Sequence, residues 1–580
     1  MTSFIYNALK DLELDSRDMS KLSLILPNKR AGLFLKREWA TINKTTGFLP
    51  EILSIEHFIE ELSQLRLLSN TELVFEFYHV YLELTPPEER DSFDSFSKWA
   101  PIVLQDFNEI DRYLIPQEQI FEYLTAIQEI NHWSLDANST PLIKGYLSFW
   151  KKVDSYYSRL TTHLLQKRVG YQGLIYREAV ENLEVYTQNN PHKSHVFLGF
   201  NALNASESTI IQELLQQEKA AIYWDIDQTF IDTPYHDAGF FIRQHRKKWP
   251  HFQSHPFKWI SNQYATPKNI SIVGTPKNIG QVKYVGTLLK QLHAENKLHN
   301  TALILGNEDL LIPMLNSIPS TIEEINITMG LPLKQIPFSG FINQWFQLQK
   351  ETSSNYYYQD IKGVLSHPFV RPLLQDQNQD AGQLIITSLN THNLVSLNKD
   401  QIIAIAPAHK PILELLFTNW GNSPSKAIES VLSLIFKLKD YYSQSKKNHL
   451  LPLEYLFRFS EIFNQLKELN NSYNYINTIK VLQSIYKELL STESLDFKGQ
   501  PLKGLQIMGM LESRVLDFET VIIVSVNEGV LPAGKTNNSF IPFDVKIENG
   551  LPTYKEKDAI YTYHFYRLLQ RAQNAHIIYN

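Results

Sequence analysis

Short apolar runs closed by polar turns occur in two groups along this chain, and each group is interrupted by a long stretch whose apolar residues recur at helical spacing. In KLSLILPNKRAGLFLKREW the run Leu22–Leu26 ends at a Pro-Asn turn, and Ala31, Leu33, Phe34 and Leu35 then mark the inward face of a helix. Runs return at residues 196–200 (in HVFLGF) and 220–226 (AAIYWDI), each followed by polar loop residues. Uninterrupted apolar runs of this length suit parallel strands buried on both faces, with their carboxyl ends at a crevice. Between the first run and the second, residues from about 55 to 165 read as helical and aromatic, as in SFSKWAPIVLQDFNEIDRYL, and predict an insertion without strands. NQYATPKN, near residue 265, reads as a linker. Beyond it come ISIVGT, a helical VKYVGTLLKQLHAE, TALILGN and a helical DLLIPMLNSI, a second α/β alternation. Residues 350–495 read as polar, helical and strandless, and the sheet pattern resumes at LQIMGM and TVIIVSV.

The predicted fold class is therefore α/β: two tandem parallel-sheet domains, each split by an all-helical insertion. The first comprises residues 1–60 and 166–264 around an insertion at 61–165; the second comprises 265–349 and 496–580 around an insertion at 350–495. A chain of 580 residues is too long for one core, which agrees with several domains. Hydrophobic residues at 43% and charged residues at 20% indicate a globular protein, and no run of about 18 apolar residues could span a bilayer. The start, MTSFIYNALKDLELD, lacks the basic-then-apolar order of a signal peptide, so a cytoplasmic location is expected. With no cysteine, disulfides, thiolate zinc sites and Cys-ligated iron–sulfur clusters are excluded. A formal net charge of −6 exerts no general attraction for nucleic acid, so DNA binding would need a local basic groove.

Gly529, Gly534, Lys535 and Thr536 satisfy the spacing G-x-x-x-x-G-K-[ST] of a phosphate-binding loop behind an apolar run. Such a loop must open a helix whose first N–H groups hold the phosphates. The residues that follow are NNSFIP, and Pro542 would stop that helix after scarcely more than a turn. The context argues against a working loop.

Residues 509–532, GMLESRVLDFETVIIVSVNEGVLP, resemble the motif of AddB-like and UvrD-like proteins, superfamily-one DNA helicase relatives, in which an L-x-F-[DE]-x-V strand leads to N-E-G-x-[LF]-P. The final HFYRLLQRAQNAHIIYN resembles the last helicase motif, and PNKRAGLFLKREW, GYQGLIYREA, WDIDQTFIDTPYHDAGFFIR and NITMGLPLK resemble AddB-type proteins that carry a PD-(D/E)xK nuclease domain. The resemblance implies RecA-like domains and places Arg571 where active relatives meet the ATP γ-phosphate, a task that suits a planar, always-charged donor. It assigns Glu528 and Arg514 to the same vestigial nucleotide site. A surface arginine on an amphipathic helix is the plainer reading of Arg571.

Departures from the family carry more information. Where active relatives have G-x-x-G-x-G-K-T, this chain has no glycine before Gly32. In HVFLGFNALNASE, Leu198 stands in place of the Mg²⁺-binding aspartate, and Glu207 reads as a solvated glutamate at a helix start. The expectation is a retained motor fold without ATP turnover. The nuclease needs two acidic residues on adjacent strands and a nearby lysine; Asp544 with Lys546 is only a fragmentary match, better read as a polar turn. In the family that domain follows the last helicase motif, past Asn580, so the sequence reads as a fragment or split product, and Mg²⁺ is expected only for that missing domain. No metal site is expected in this chain: His236 and Asp237 with Asp225, Asp227 and Asp232 lack regular spacing.

Two basic, aromatic runs are candidates for DNA contact by phosphate pairing and base stacking: Arg30, Lys36 and Arg37 beside Phe34 and Trp39, and Arg243, Arg246, Lys247 and Lys248 beside Trp249. A charged helix face explains each equally well. The leading expectation is a helicase-fold DNA-binding scaffold of an AddAB/RecBCD-like double-strand break repair and recombination complex, with an AddA-type helicase–nuclease subunit as partner. Two alternatives stand beside it: the N-terminal part of a Mg²⁺-dependent PD-(D/E)xK exonuclease, and an interaction scaffold without DNA affinity.

Overall fold

A computed structural model of the chain describes residues 2–580 except 13–17, 44–46, 123–140, 258, 351–354, 377–378, 445–449, 498–501 and 533–538. The α/β class holds. One sheet contains β1 (Leu22–Leu26), β2 (Glu51–Ser54), β5 (Ser194–Phe200), β6 (Ala220–Asp227) and β7 (Trp259–Ser261) in the order β2-β1-β5-β6-β7, with every pairing parallel. A second contains β8 (Asn269–Gly274), β9 (Thr301–Leu305), β10 (Ile325–Ile327), β15 (Leu505–Gly509), β16 (Thr520–Val524) and β17 (Asn574–Tyr579) in the order β10-β15-β9-β16-β17-β8, also parallel. Residues 262–268, which include most of the linker, carry no helix or strand.

Alternation along these strands distributes the core. Leu22, Leu24 and Leu26 of β1 face one cluster while Ile25 faces another, as the two-residue period of a strand requires. The cluster on the first side also contains Ala302, Ile304, Met508, Val521 and Ile523 of the second sheet, so the two sheets share a core across their junction. Each sheet then has its own cluster on the opposite face. β1, β9, β15 and β16 are buried at every position, which is why their sequences are dominated by apolar residues, with Ser23 and Gln506 the buried polar exceptions inside β1 and β15.

The structure corrects the expectation of strand-free insertions. β3 (Arg66–Leu67) pairs with β4 (Val169–Gly170), β12 (Asn355–Tyr357) pairs antiparallel with β13 (Ser396–Asn398), and β11 (Leu331–Pro332) pairs antiparallel with β14 (Ser494–Leu495). These pieces are two or three residues long and too short to show a period. Leu33 is also exposed rather than inward. The two helical regions pack into one continuous core running from Leu68 to Leu495, joined by Ile541, Val545 and Leu551. Phe75 lies 5.4 Å from the Tyr473 ring, and the Tyr473 hydroxyl donates to Glu76 Oε1 at 2.6 Å. No described helix is long and apolar enough to cross a membrane.

Candidate functional site

The junction of the two sheets holds a buried cluster of four charges. On β6, Trp224 and Ile226 face the core behind the first sheet, so the alternation turns Asp225 toward the second. Arg567 and Arg571 lie four residues apart on the helix Tyr554–Arg571, hence on one face, and both are directed at Asp225. Arg567 Nε donates to Asp225 Oδ2 at 2.5 Å and Arg571 Nη1 to Asp225 Oδ1 at 2.7 Å. Asp517, in the turn before β16, accepts from Arg567 Nη2 at 2.9 Å and from Arg571 Nη1 at 3.2 Å. Arg567 Nη1 also donates to the carbonyls of Leu516 and, at 3.2 Å, Ser513. All four side chains are at most 2% exposed. Burial would raise the Asp225 carboxyl, but Arg567 and Arg571 outweigh it and hold the group below the ordinary carboxylate value. Burial likewise opposes the charge on Arg571, and Asp225 and Asp517 reverse the effect.

The amino-terminal helix Phe4–Asp11 closes this seam. Its first amide, at Phe4, donates to Asp517 Oδ2 at 2.7 Å, and the Phe4 ring, fully buried, lies 5.8 Å from the Arg571 guanidinium. Gly199 of β5 has φ +72°, and a Cβ there would sit 2.6 Å from Val515, so the close approach of the two sheets requires glycine. Arg571 thus faces protein carboxylates and a ring. Its Nε and Nη2 have no hydrogen-bond partner among the described residues.

A cavity of about 170 Å³ lies beside the seam. It opens where β1 and β5 end, lined by Pro27, Phe200 and Asn201, by Arg112 and Tyr176 from neighbouring helices, and by Arg514 and His564 from the second sheet's side. The chain leaves β1 for β2 on one side and β5 for β6 on the other, so this crevice is the topological switch point of the first sheet. Arg112 Nε, Arg514 Nε, His564 Nδ1 and both side-chain polar atoms of Asn201 are buried there without a partner among the described residues. Burial, then Arg514 and Arg567, hold the His564 imidazole well below its ordinary value, so it is neutral at pH 7.

The candidates singled out in the sequence scatter. Arg571 is in the sealed cluster and Arg514 lines the cavity, while Glu528 is exposed in the turn after β16. Gly534, Lys535 and Thr536 lie outside the described residues, and the next helix, Phe543–Glu548, begins only after Pro542. Leu198 is fully buried in β5. Glu207 does stand at a helix start, as the third residue of a capping box with Asn204, but it is buried rather than solvated, and burial raises its carboxyl. Asp544 and Lys546 fall on a short helix rather than a turn, and Lys546 Nζ donates to Glu109 Oε2 at 2.6 Å.

The basic runs separate into braces and surface. Arg30 Nη2 donates to Gln506 Oε1 at 2.7 Å, linking the helix after β1 to the second sheet, and burial lowers its guanidinium to about 10 against an opposing pull from Glu512. Arg243 donates to the carbonyls of Phe230, Thr233 and His236. Phe34, Trp39 and Trp249 are buried, with Trp249 3% exposed and 5.6 Å from the Trp224 ring, so none of these rings is presented for base stacking. Lys36, Arg37, Arg246, Lys247 and Lys248 are exposed. Asp227 is buried and accepts from the amides of Thr229, Gln263 and Tyr264, a structural role. Among the described residues no group of three or more His, Asp or Glu is placed to hold a metal.

Sequence reasoning missed Asp517, Arg567, Arg112, Asn201 and His564. Two arginines four apart on a helix otherwise rich in buried residues were the visible signal for Arg567; nothing local marked the others. No family model matches the chain, and no curated protein matches it.

Proposed function

We propose that the protein is a helicase-fold DNA-binding scaffold of an AddAB/RecBCD-like double-strand break repair complex, with two RecA-like domains and no ATP turnover. The observation that carries this reading is the engagement of Arg571. The arginine that the last helicase motif would aim at a γ-phosphate is instead bonded to Asp225 and Asp517, with Phe4 against it. A charge already balanced inside a closed seam is not free to stabilise charge developing on a nucleotide. In this reading the cluster fixes one parallel sheet to the other, and the exposed cations Lys36, Arg37, Arg246, Lys247 and Lys248 supply phosphate contacts. The partner is an AddA-type helicase–nuclease subunit, which supplies the motor, and Mg²⁺ belongs to nuclease chemistry outside these residues.

The test is a paired assay on forked and single-stranded DNA. Binding that weakens steeply with salt, without DNA-stimulated ATP hydrolysis, is the expected result. Robust turnover abolished by Lys535→Ala would sink the inactive-motor reading, and absence of binding at low salt would leave an interaction scaffold without DNA affinity.

A further inference from the structure

We infer that the crevice between the carboxyl ends of β1 and β5 is a binding site for a small tetrahedral oxyanion, a phosphate group that is either free or terminal on a monoester. The first support is position. Ligands of open parallel sheets bind where neighbouring strands send their connections to opposite sides, and the cavity sits at that point of the first sheet. The second is unspent hydrogen-bonding capacity. Buried polar side-chain atoms are nearly always partnered, yet among the described residues Arg112 Nε, Arg514 Nε and the Asn201 amide N–H₂ are donors without an acceptor. Asn201 and His564 are 7% and 4% exposed, so bulk water does not satisfy them. Against these donors stand Asn201 Oδ1 and, in one tautomer, His564 Nδ1 as acceptors without a donor. A monohydrogen phosphate or a protonated monoester matches that inventory, because its P–O oxygens accept from the guanidinium and amide groups and its P–OH donates.

The carboxylates in the cavity wall answer part of the Arg112 charge, through Glu207, and leave the donors of Arg514 and Asn201 unspent. Glu207 is committed to its own helix: Oε2 accepts from the Asn204 amide at 3.0 Å and Oε1 from the Tyr176 hydroxyl at 3.4 Å. Glu56 is exposed at the rim, where solvent screens it. Arg112 is held over the Tyr176 ring with its Cζ 5.5 Å from the centroid, which orients the guanidinium without consuming Nε. Size decides between a phosphate group and a whole nucleotide. At about 170 Å³ the cavity is smaller than the roughly 300–1,000 Å³ of sites that enclose drug-sized ligands. The inference stands on the cavity alone, so failure of DNA binding leaves it untouched.

Calorimetric titration of the full chain with inorganic phosphate, in a buffer free of other oxyanions, tests it. Asn201→Asp replaces a donor by a negative charge of the same shape, Arg514→Gln removes one of the two cations, and Lys248→Gln on an exposed helix is the control. Wild type and Lys248→Gln bind phosphate alike, while Asn201→Asp and Arg514→Gln each weaken binding by about 10-fold or more. Circular dichroism and the unfolding midpoint without phosphate confirm that each variant folds, and if one fails the other decides. Competition by a 5′-phosphorylated oligonucleotide but not its 5′-hydroxyl counterpart would identify a terminal phosphate as the ligand; lack of competition would identify free phosphate. No heat of binding by the wild type at tens of millimolar phosphate, or unchanged affinity in both cavity variants, overturns the site.

Discussion

The seam around Asp225 and the cavity around Asn201 are neighbours that both contain arginines, and they differ in how those charges are matched. In the seam, two arginines and two aspartates balance one another in a space closed by Phe4 and Val515. In the cavity wall, two arginines, an asparagine and a histidine keep buried polar atoms without partners among the described residues, as Arg571 Nε and Nη2 do in the seam. In the seam each arginine meets two carboxylates, whereas in the cavity wall the buried carboxylate Glu207 acts on Arg112 and no ion pair engages Arg514 among the described residues. The helix Tyr554–Arg571 contributes to both, with Arg567 and Arg571 on the seam and His564 on the cavity.

The largest break in this comparison comes from the seam. Asp225→Ala leaves Arg567 and Arg571 buried against Asp517 alone, and removing one partner from a buried ion cluster costs about 3–5 kcal/mol; the loss is read from urea unfolding midpoints. pH tests the fold on which both regions rest. Burial lowers His195 and His245 to about 4, so both are neutral in the folded chain at pH 7. As pH falls below 6.5 the unfolded chain gains protons that the folded chain refuses until about 4, and stability is lost across that window. At pH 5 each contributes a loss of about 2 kcal/mol relative to pH 7.5, and His195→Gln removes one share of it. The Asp225 carboxyl, held below its ordinary value, does not titrate in that range.

The cavity gives the contrasting small effect. Arg514→Met deletes a side chain whose Nε is unpartnered, so without phosphate the unfolding free energy changes by no more than about 0.5 kcal/mol. A loss like that of Asp225→Ala would mean that the cavity is a second brace. The smallest change is expected at Lys247→Gln, which leaves stability unaltered and, on the proposed DNA-binding reading, lowers the salt slope of binding by about 1.

The sheet strands β1, β5, β9, β15 and β16 were legible because apolar residues dominate each of them, with single polar residues such as Ser23 and Gln506 too few to set up an alternation. β2, β7 and β10 were not, being three or four residues long and anchored by pairing with strands distant in sequence. The same divide separates the parts of the site. Arg571 could be placed on a helix ahead of a core strand from its own neighbourhood, but its partner Asp225 lies 346 residues away, and only the packing of one sheet on the other brings them together. Asp225 looked like a loose member of an acidic loop, whereas strand alternation turns it inward. Trp249 shows the converse: a basic neighbourhood suggested a stacking surface, while the ring belongs to the core beneath it.

The claim that Arg571 is a structural brace is tested most directly by a double-mutant cycle of Asp225→Asn and Arg571→Gln, followed by equilibrium unfolding. A coupling energy of about 1–3 kcal/mol is predicted, because the two groups share one sealed network. Additivity within about 0.3–0.5 kcal/mol, the behaviour of independent sites, would contradict it.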